Sequence, residues 1–311
     1  MVDPEGYPYN TISREGDGPG ETRFPLSILD LGEDEIGIVQ PIPGKIIRMS
    51  LDNLPRGVIH LELGHSKVAI TDAKFGGGYF LASGTHHDQE RFRQRLFIAR
   101  FDLQGQMIKE YWGYSAGPDL LEVLSQFRFF NPYTIDDQGY VYIAPDWNKY
   151  RIEIYDQQNH LIRVITRDYP ARRRNEADRR RAMVRTIGVA DPKELSEEDQ
   201  QILVSRGLQI KIEDYDRVVL GLWLDEQAYL WVRTSQGDNN QSSGVVCTYD
   251  VFDPQGHFIK QVELHGSINP LYDRIFFLGH SLQRLVVIQN TEEETYSPKV
   301  GQRITCYRIL K

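Results

Sequence analysis

The sequence predicts an all-β fold, a β-propeller of four-stranded antiparallel blades interrupted by one α-helical insertion. Three observations predict it: a turn phrase recurs at a fixed period, the stretches between its copies read as short strands, and the one long spacing is filled by helical sequence. The phrase is clearest in Phe252-Asp253-Pro254-Gln255-Gly256-His257-Phe258-Ile259, an apolar strand end followed by Asp, Pro and Gly at the first, second and fourth positions of a turn. Those are the residues a type I β-turn favours there. Val2-Asp3-Pro4-Glu5-Gly6, Phe101-Asp102-Leu103-Gln104-Gly105 and Tyr155-Asp156-Gln157-Gln158-Asn159 repeat it, and Leu51-Asp52 with Gly57 reads as a lengthened copy. The Asp residues at 3, 52, 102, 156 and 253 lie 49, 50, 54 and 97 apart, a period that belongs to blades, solenoid turns or arrays.

Between the turns, short β-branched and aromatic runs broken by Gly, Asp and Asn follow hairpin grammar. The first unit offers strands at Leu26–Leu31, Glu35–Gln40, Lys45–Leu51 and Gly57–Leu63, and the second at Lys67–Ala73, Gly78–Ser83, Arg95–Asp102 and Met107–Gly113. The third offers Asn131–Asp136, Gly139–Ala144, Tyr150–Asp156 and His160–Arg167; the fourth offers Arg217–Leu222, Ala228–Arg233, Cys247–Asp253 and Phe258–Leu264. The last has three, Arg274–Leu278, Leu282–Gln289 and Arg303–Leu310, while one lone strand, Tyr7–Ser13, follows the first turn. A unit divided in this way between the two ends is how a propeller closes its ring and leaves only short edges. Five blades are visible, and residues 1–311 are expected to form a single propeller domain.

Asp168–Asp216 reads as helix. Arg172–Ile187 is rich in Arg and Ala with Gly188 as a stop, and Ser196-Glu197-Glu198-Asp199 has the residues of an N-cap and acidic first turn, with Gly207 as a C-cap. Composition is that of a soluble globular chain: 26% charged and 40% apolar residues, with a net charge of −8. The acidic balance argues against nucleic acid, whose phosphates need a concentrated basic surface. No stretch approaches the length of a membrane helix, and Met1–Asn10 has neither the basic cap nor the apolar core of a signal peptide. The two cysteines, Cys247 and Cys306, are too few for a disulfide scaffold and read as buried thiols, with a bridge as the alternative.

Glu15-Gly16-Asp17-Gly18-Pro19-Gly20-Glu21, set before Phe24-Pro25, resembles the signature of bacterial six-bladed β-propellers of the NHL-like group. Tyr249-Asp250-Val251-Phe252-Asp253 and Asp137-Gln138-Gly139-Tyr140-Val141-Tyr142 are similar to other recurring phrases of that group. The resemblance implies six blades and an extracytoplasmic location in the periplasm or at the cell surface. It departs from the pattern in one respect: in the group the Gly-Pro-Gly-Glu loop follows a complete first blade, and here almost nothing precedes it. The chain therefore either closes as five blades with its own first strand or is a six-bladed type without its first blade. The resemblance specifies fold, not function, since propellers host binders and enzymes alike.

Strand order places the Asp turns on one rim and nearly every long loop on the other: Glu15–Glu21, Gly84–Gln94, Ser115–Phe130, Asp168–Asp216, Ser235–Gly244 and Asn290–Gly301. Loops on a rigid scaffold carry function, so the long-loop rim is the candidate binding face. Its candidate residues are His86, His87, Asp88, Arg91, Trp147, Arg173, Arg180 and Asp238. The segment Thr85-His86-His87-Asp88-Gln89-Glu90 holds metal-ligand chemistry, with His86 and Asp88 as the possible ligands. Adjacent histidines on an extended segment point to opposite sides, and Arg91, Arg93 and Arg95 repel a cation, so a solvated polar loop is the plainer reading. Arg172–Arg185 carries seven arginines against Glu176 and Asp178, a local charge of +5. It reads either as a contact for an anion, glycan or acidic partner, or as a solvated helix pairing with the acidic stretch Glu194–Asp199.

Gly16–Glu21 lacks the Gly-Lys-Ser/Thr ending of a P-loop and precedes a strand, so it reads as a connector. No Ser-His-Asp order, paired carboxylate motif or His-Glu-x-x-His appears. The expected function is a non-enzymatic binding or scaffold propeller, monomeric and requiring no cofactor, that presents its long-loop rim to a protein or glycan. The alternative is a metal-dependent hydrolase or lyase holding calcium or another divalent ion at the mouth of the channel, with one ligand from each of several blades.

Overall fold

A computed structural model describes residues 13–64, 66–88, 93–116, 131–187, 193, 196–198, 200–201, 213–239, 244–266, 274–277, 284–290 and 302–308. Its sheets follow the repeat. The first joins β1 (Ser27–Gly32), β2 (Glu35–Gln40), β3 (Lys45–Ser50) and β4 (Pro55–His60) in chain order, and a two-stranded ribbon follows, β5 (Glu62–Leu63) with β6 (Ser66–Lys67). The second joins β7 (Ala69–Gly76), β8 (Tyr79–Asp88), β9 (Arg93–Phe101) and β10 (Met107–Ala116); the third joins β11 (Tyr133–Ile135), β12 (Val141–Ile143), β13 (Arg151–Tyr155) and β14 (Leu161–Thr166). The fourth joins β15 (Val219–Leu224), β16 (Leu230–Thr234), β17 (Val245–Phe252) and β18 (Phe258–His265). The fifth has three strands among the described residues, β19 (Arg274–Phe277), β20 (Arg284–Asn290) and β21 (Gln302–Arg308). The architecture is all-β, of the propeller type, with antiparallel blade-like sheets and helical insertions. The turn at Val2–Gly6 and the strand expected at Tyr7–Ser13 lie, but for Ser13, outside the described residues.

The residues divide between two compact units. One holds Met1–Phe130, Thr134–Val141 and Ile154–Ile162, and the other Asn131–Tyr133, Tyr142–Glu153 and Arg163–Lys311. In the first unit, side chains from the first two sheets, including Val39, Ile46, Ile70, Phe80, Phe97 and Phe101, make one buried cluster. Full burial of each such side chain contributes roughly 1.5–3 kcal/mol. The last strand of each of the first four sheets is the least covered, with Val58, Ile108, Ile162 and Ile259 all more than 40% exposed. Cys247 is buried.

The repeated turn is a device with defined chemistry. Asp102 Oδ1 accepts the N–H groups of Gln104 and Gln106, each at 2.9 Å, while Gly105 N–H donates to Asp102 O at 3.0 Å with Gly105 at φ 83°. One carboxylate thus satisfies two backbone donors that the reversal would leave open, and the left-handed fourth residue returns the chain to the ladder. Asp156 and Asp253 repeat the geometry between the last two strands of their sheets, with His160 and His257 N–H each at 2.8 Å. The Asp156 carboxyl lies below its ordinary range chiefly because His160 N–H donates to it.

Two copies escape the sequence pattern and one is displaced. Asp136 and Asp225 build the same turn between first and second strands, with Gly139 at φ 86° and Ala228 at φ 59°. The copy read at Asp52 begins at Ser50: its hydroxyl oxygen accepts Leu54 N–H at 3.1 Å, and Asn53 takes the left-handed position at φ 66°. A serine oxygen replaces the carboxylate and an asparagine replaces glycine, substitutions the geometry tolerates. Alanine tolerates it least, at roughly 1–2 kcal/mol. Ala228→Gly is therefore expected to raise the thermal midpoint by about 1–3 °C, part of the gain being offset by unfolded-chain entropy; a lower midpoint in a thermal melt would count against the turn.

The insertion departs from its expected boundaries. Its helix α1 is Glu176–Ile187, not Arg172–Ile187. Asn175 is the cap: its Oδ1 accepts Asp178 N–H and Asp178 Oδ2 accepts Asn175 N–H, both at 2.9 Å, the reciprocal arrangement of a capping box. Residues 172–174 are held extended instead, Arg173 bridging Tyr215. Residues 197–198 and 200–201 are helical as expected, and Gly207 lies outside the described residues. A further short helix, α2 (Ser235–Asn239), opens the loop after β16. The loop expected at Gly84–Gln94 is mostly strand, because β8 and β9 continue their pairing from Gly84↔Phe97 out to Asp88↔Arg93. Backbone pairing needs no apolar side chains, so a polar sequence hid it.

Candidate functional site

The turns close one end of the sheets with their own polar groups. The other end of the third and fourth sheets is built differently, and within the second unit it gathers residues from three segments. Asn131 precedes β11, Ala144 to Trp147 follow β12, and Arg217 precedes β15. Arg217, 5% exposed, is the centre. Its Nε donates to Val219 O at 3.0 Å, and its Nη2 donates to Ala144 O at 3.0 Å and to Asn131 Oδ1. The guanidinium lies 5.3 Å from the centre of the Trp147 ring. Desolvation pulls the Arg217 pKa down to about 9, against the opposing charge of Asp146. Buried arginine normally has a carboxylate beside it; the oxygens around this one belong to neutral carbonyl and amide groups.

The base of the insertion adjoins this cluster. Trp147 Nε1 donates to Tyr215 O at 3.2 Å, and Val218 N–H donates to Trp147 O at 2.9 Å. Asp216 accepts from Arg172 Nη1 at 2.5 Å and from Arg174 Nε at 2.6 Å, and Arg172 Nη2 also pairs with Asp178 at 2.7 Å. Arg179 pairs with Asp214. The arginines thus divide by role: Arg172 and Arg174 are nearly buried and join the start of the insertion to its end at Asp216, whereas Arg173 and Arg180 are exposed. The described partners are Asp178, Asp214 and Asp216; of the acidic stretch expected to pair with them, Glu194 and Asp199 lie outside the described residues.

A second buried group lies in the same unit. Asp250, 2% exposed, forms an ion pair with Arg167 at 2.7 Å and accepts a hydrogen bond from Gln261 Nε2 at 2.8 Å. Arg167 lies 4.1 Å over the Phe258 ring. Burial and then the Asp250 charge hold the Tyr150 phenol far above its ordinary range. Tyr169 packs on Tyr150 at 5.6 Å between ring centres, and its hydroxyl accepts Gln236 N–H at 2.7 Å, while Gln236 Nε2 donates to Pro170 O at 2.9 Å. The start of the insertion is thereby fastened to α2. Asp250 is held by Arg167 and Gln261 of the same unit, so the group reads as structural.

No protein-family model matches the chain, and no curated protein does. Among solved structures it is similar to a Bacteroides fragilis protein whose name marks it as exported, with 11% identity over 93% of this chain and 73% of that one, at a TM-score of 0.45. It is similar also to a member of the DUF4221 family from Bacteroides vulgatus, with 10% identity over 94% of this chain and 81% of that one, at 0.42. A third likeness is to a luciferin-regenerating enzyme, with 12% identity over 89% of this chain and 75% of that one, at 0.39. Likenesses at these identities carry nothing about function.

The candidates read from sequence fall in three places. Trp147 and Arg173 are brought together through Tyr215, one by a hydrogen bond to its carbonyl and the other by backbone bridging, and Arg180 stands exposed on α1 of the same unit. Asp238 lies on α2. His86, His87 and Asp88 lie on β8 in the other unit, opposite Arg95, Gln94 and Arg93, where successive residues face opposite sides of the sheet. Arg91 lies outside the described residues. Among the described residues no group of three or more His, Cys, Asp and Glu is placed to hold a metal ion, and no helix is long and apolar enough to cross a membrane. Arg217 and Asn131 were missed; the available signal was that each stands immediately before the first strand of its unit, polar residues at the mouth of an apolar run.

Proposed function

We propose that the chain is a non-enzymatic binding or scaffold propeller, a single domain of the NHL-like six-bladed type and extracytoplasmic, that presents the long-loop end of its sheets to a protein or glycan. One observation supports the reading above the others: the arginine-rich insertion uses Arg172 and Arg174 to close its own two ends on Asp216, is fastened to Trp147 and α2 through Tyr215, Tyr169 and Pro170, and leaves Arg173 and Arg180 outward. A segment so firmly anchored and so basic at its surface, on a chain of net charge −8, suits recognition of an acidic protein or glycan face.

The test is charge reversal. Arg173→Glu with Arg180→Glu is expected to weaken capture of the partner from native extract at least tenfold and to leave the melting curve unchanged. Gln104→Glu with Gln255→Glu, exposed at the turn end, is expected to alter neither. Equal capture by both double variants would refute the assignment of the binding end. A stoichiometric divalent ion in the purified protein, bound by residues of several sheets, would favour a hydrolase or lyase instead.

A further inference from the structure

We infer that Arg217 and Asn131 form a binding site for one small carboxylate anion, beneath the Trp147 indole at the loop end of the second unit. It uses neither Arg173 nor Arg180, so it stands or falls apart from the partner contact proposed above. Arg217 Nη1 is buried and has no hydrogen-bond partner. Asn131, 4% exposed, is bound through Oδ1 to Arg217 Nη2, and its Nδ2 is likewise buried without a partner. The amide cannot be turned round to relieve this, because a guanidinium only donates and the oxygen must face it. Two unsatisfied donors therefore lie at the two ends of one Nη2–H···Oδ1 bond, in a cluster carrying a positive charge.

The charge is answered only in part from within. The Asp146 charge opposes the desolvation of Arg217, but Asp146 gives Arg217 only its backbone carbonyl, at 3.4 Å, while its carboxylate lies 3.7 Å from Arg151 Nη1 with Oδ2 buried and making no hydrogen bond. Buried donors without acceptors, beside a charge that no carboxylate hydrogen-bonds, are strongly unfavourable, and one ligand relieves both. A carboxylate has one negative charge for the one guanidinium and two oxygens for the two donors. A phosphate brings more charge and more oxygens than the cluster has donors to meet. A macromolecule cannot reach so deep a group, and Trp147 is the part-exposed member of its cover, the side from which a small acid would have to approach.

The test uses the full chain with sodium acetate as the probe, against sodium chloride and inorganic phosphate at one pH and ionic strength. Acetate is expected to change tryptophan fluorescence saturably and to raise the melting midpoint by about 3 °C at saturation, with neither effect from the other salts. Trp147→Phe, which leaves three of the four tryptophans, is expected to abolish the fluorescence change. Asn131→Asp places a carboxylate beside Arg217 and is expected to raise the midpoint without acetate and remove the response to it. Acetate indistinguishable from chloride overturns the site, as does an Asn131→Asp variant that melts lower and still responds. An equal response to phosphate overturns the assignment to carboxylates.

Discussion

Gly105→Val is expected to destabilise the first unit by at least about 3 kcal/mol, more than the same change at any other repeat turn. Two separate penalties meet there. The residue sits at φ 83°, where a side chain costs about 1–2 kcal/mol and a β-branched one more. A Cβ at this position would also overlap the carbonyl of His60, which is backbone and cannot swing aside. The turn is pressed against that strand end because Gly105 O accepts Glu62 N–H at 2.9 Å. Gly139 provides the control, since at φ 86° the nearest atom to its Cβ would be 3.6 Å away, so Gly139→Val meets only the backbone penalty. Gly256 is intermediate: its Cβ would come within 2.9 Å of Arg163 Cδ, part of a flexible side chain. Urea unfolding should rank the losses Gly105, Gly256, Gly139; equal losses at 105 and 139 would mean that the close approach to His60 is absent.

The contrast among these turns shows how far the fold could be read in advance. The Asp-x-x-Gly copies at Asp102 and Asp253 were legible because a carboxylate and a glycine are the best residues for the two jobs the turn sets and the copies keep the repeat spacing; Asp136–Gly139 has the same residues but falls between first and second strands, off that spacing. The copies at Ser50 and Asp225 were not, because a hydroxyl can do the first job and asparagine or alanine can be forced into the second. The strands through Gly84–Asp88 were hidden for another reason: pairing is carried by the backbone, and polar side chains announce a loop whether or not one is there. The helix start was misplaced because Arg172 and Arg174 favour helix intrinsically, yet Asp216 holds them extended at 2.5 and 2.6 Å. Tertiary ion pairs overrode propensity.

The site was legible only at its surface. Trp147 and Arg173 stood out by residue type and loop position, and both border the cluster. Arg217 and Asn131 did not, because what distinguishes them is their surroundings: a buried cation facing neutral oxygens, assembled from positions 86 apart in the chain. Composition and spacing record which charges exist, not which ones the fold leaves without a partner.

Arg100 is a second buried cation, and removing it is expected to be the other large effect. It lies on β9 with no exposed surface. Its Nη1 donates to Gln157 O at 2.9 Å and Asn159 Oδ1 at 3.1 Å, its Nη2 donates to Gly139 O, and its guanidinium lies 4.8 Å over the Tyr79 ring. One side chain thus pins two turns, those begun by Asp136 and Asp156. Arg100→Met keeps the apolar stem but takes the donor from the Gln157 and Gly139 carbonyls, at roughly 1–3 kcal/mol each, while Asn159 Oδ1 keeps the Tyr111 hydroxyl; the loss is partly offset because a charge no longer has to be desolvated. A net loss of about 3 kcal/mol in urea unfolding is expected. Lysine in its place should recover less than half, lacking the planar fork.

Tyr111 supplies a check that a nonspecific packing defect would not pass. Its hydroxyl donates to the same Asn159 Oδ1 at 2.5 Å, and its pKa is pushed from 10.0 up to about 12 by burial, with Arg100 pulling it down. Because the folded state holds this proton after the unfolded chain has lost it, the contribution is whole below pH 10 and lost as pH rises towards about 12. Tyr111→Phe should flatten the stability profile in that window. Arg100→Met should displace the Tyr111 titration upward, since it removes the one charge that opposed burial. An Arg100→Met variant that loses stability yet leaves the Tyr111 titration where it was would mean that the guanidinium does not reach these turns.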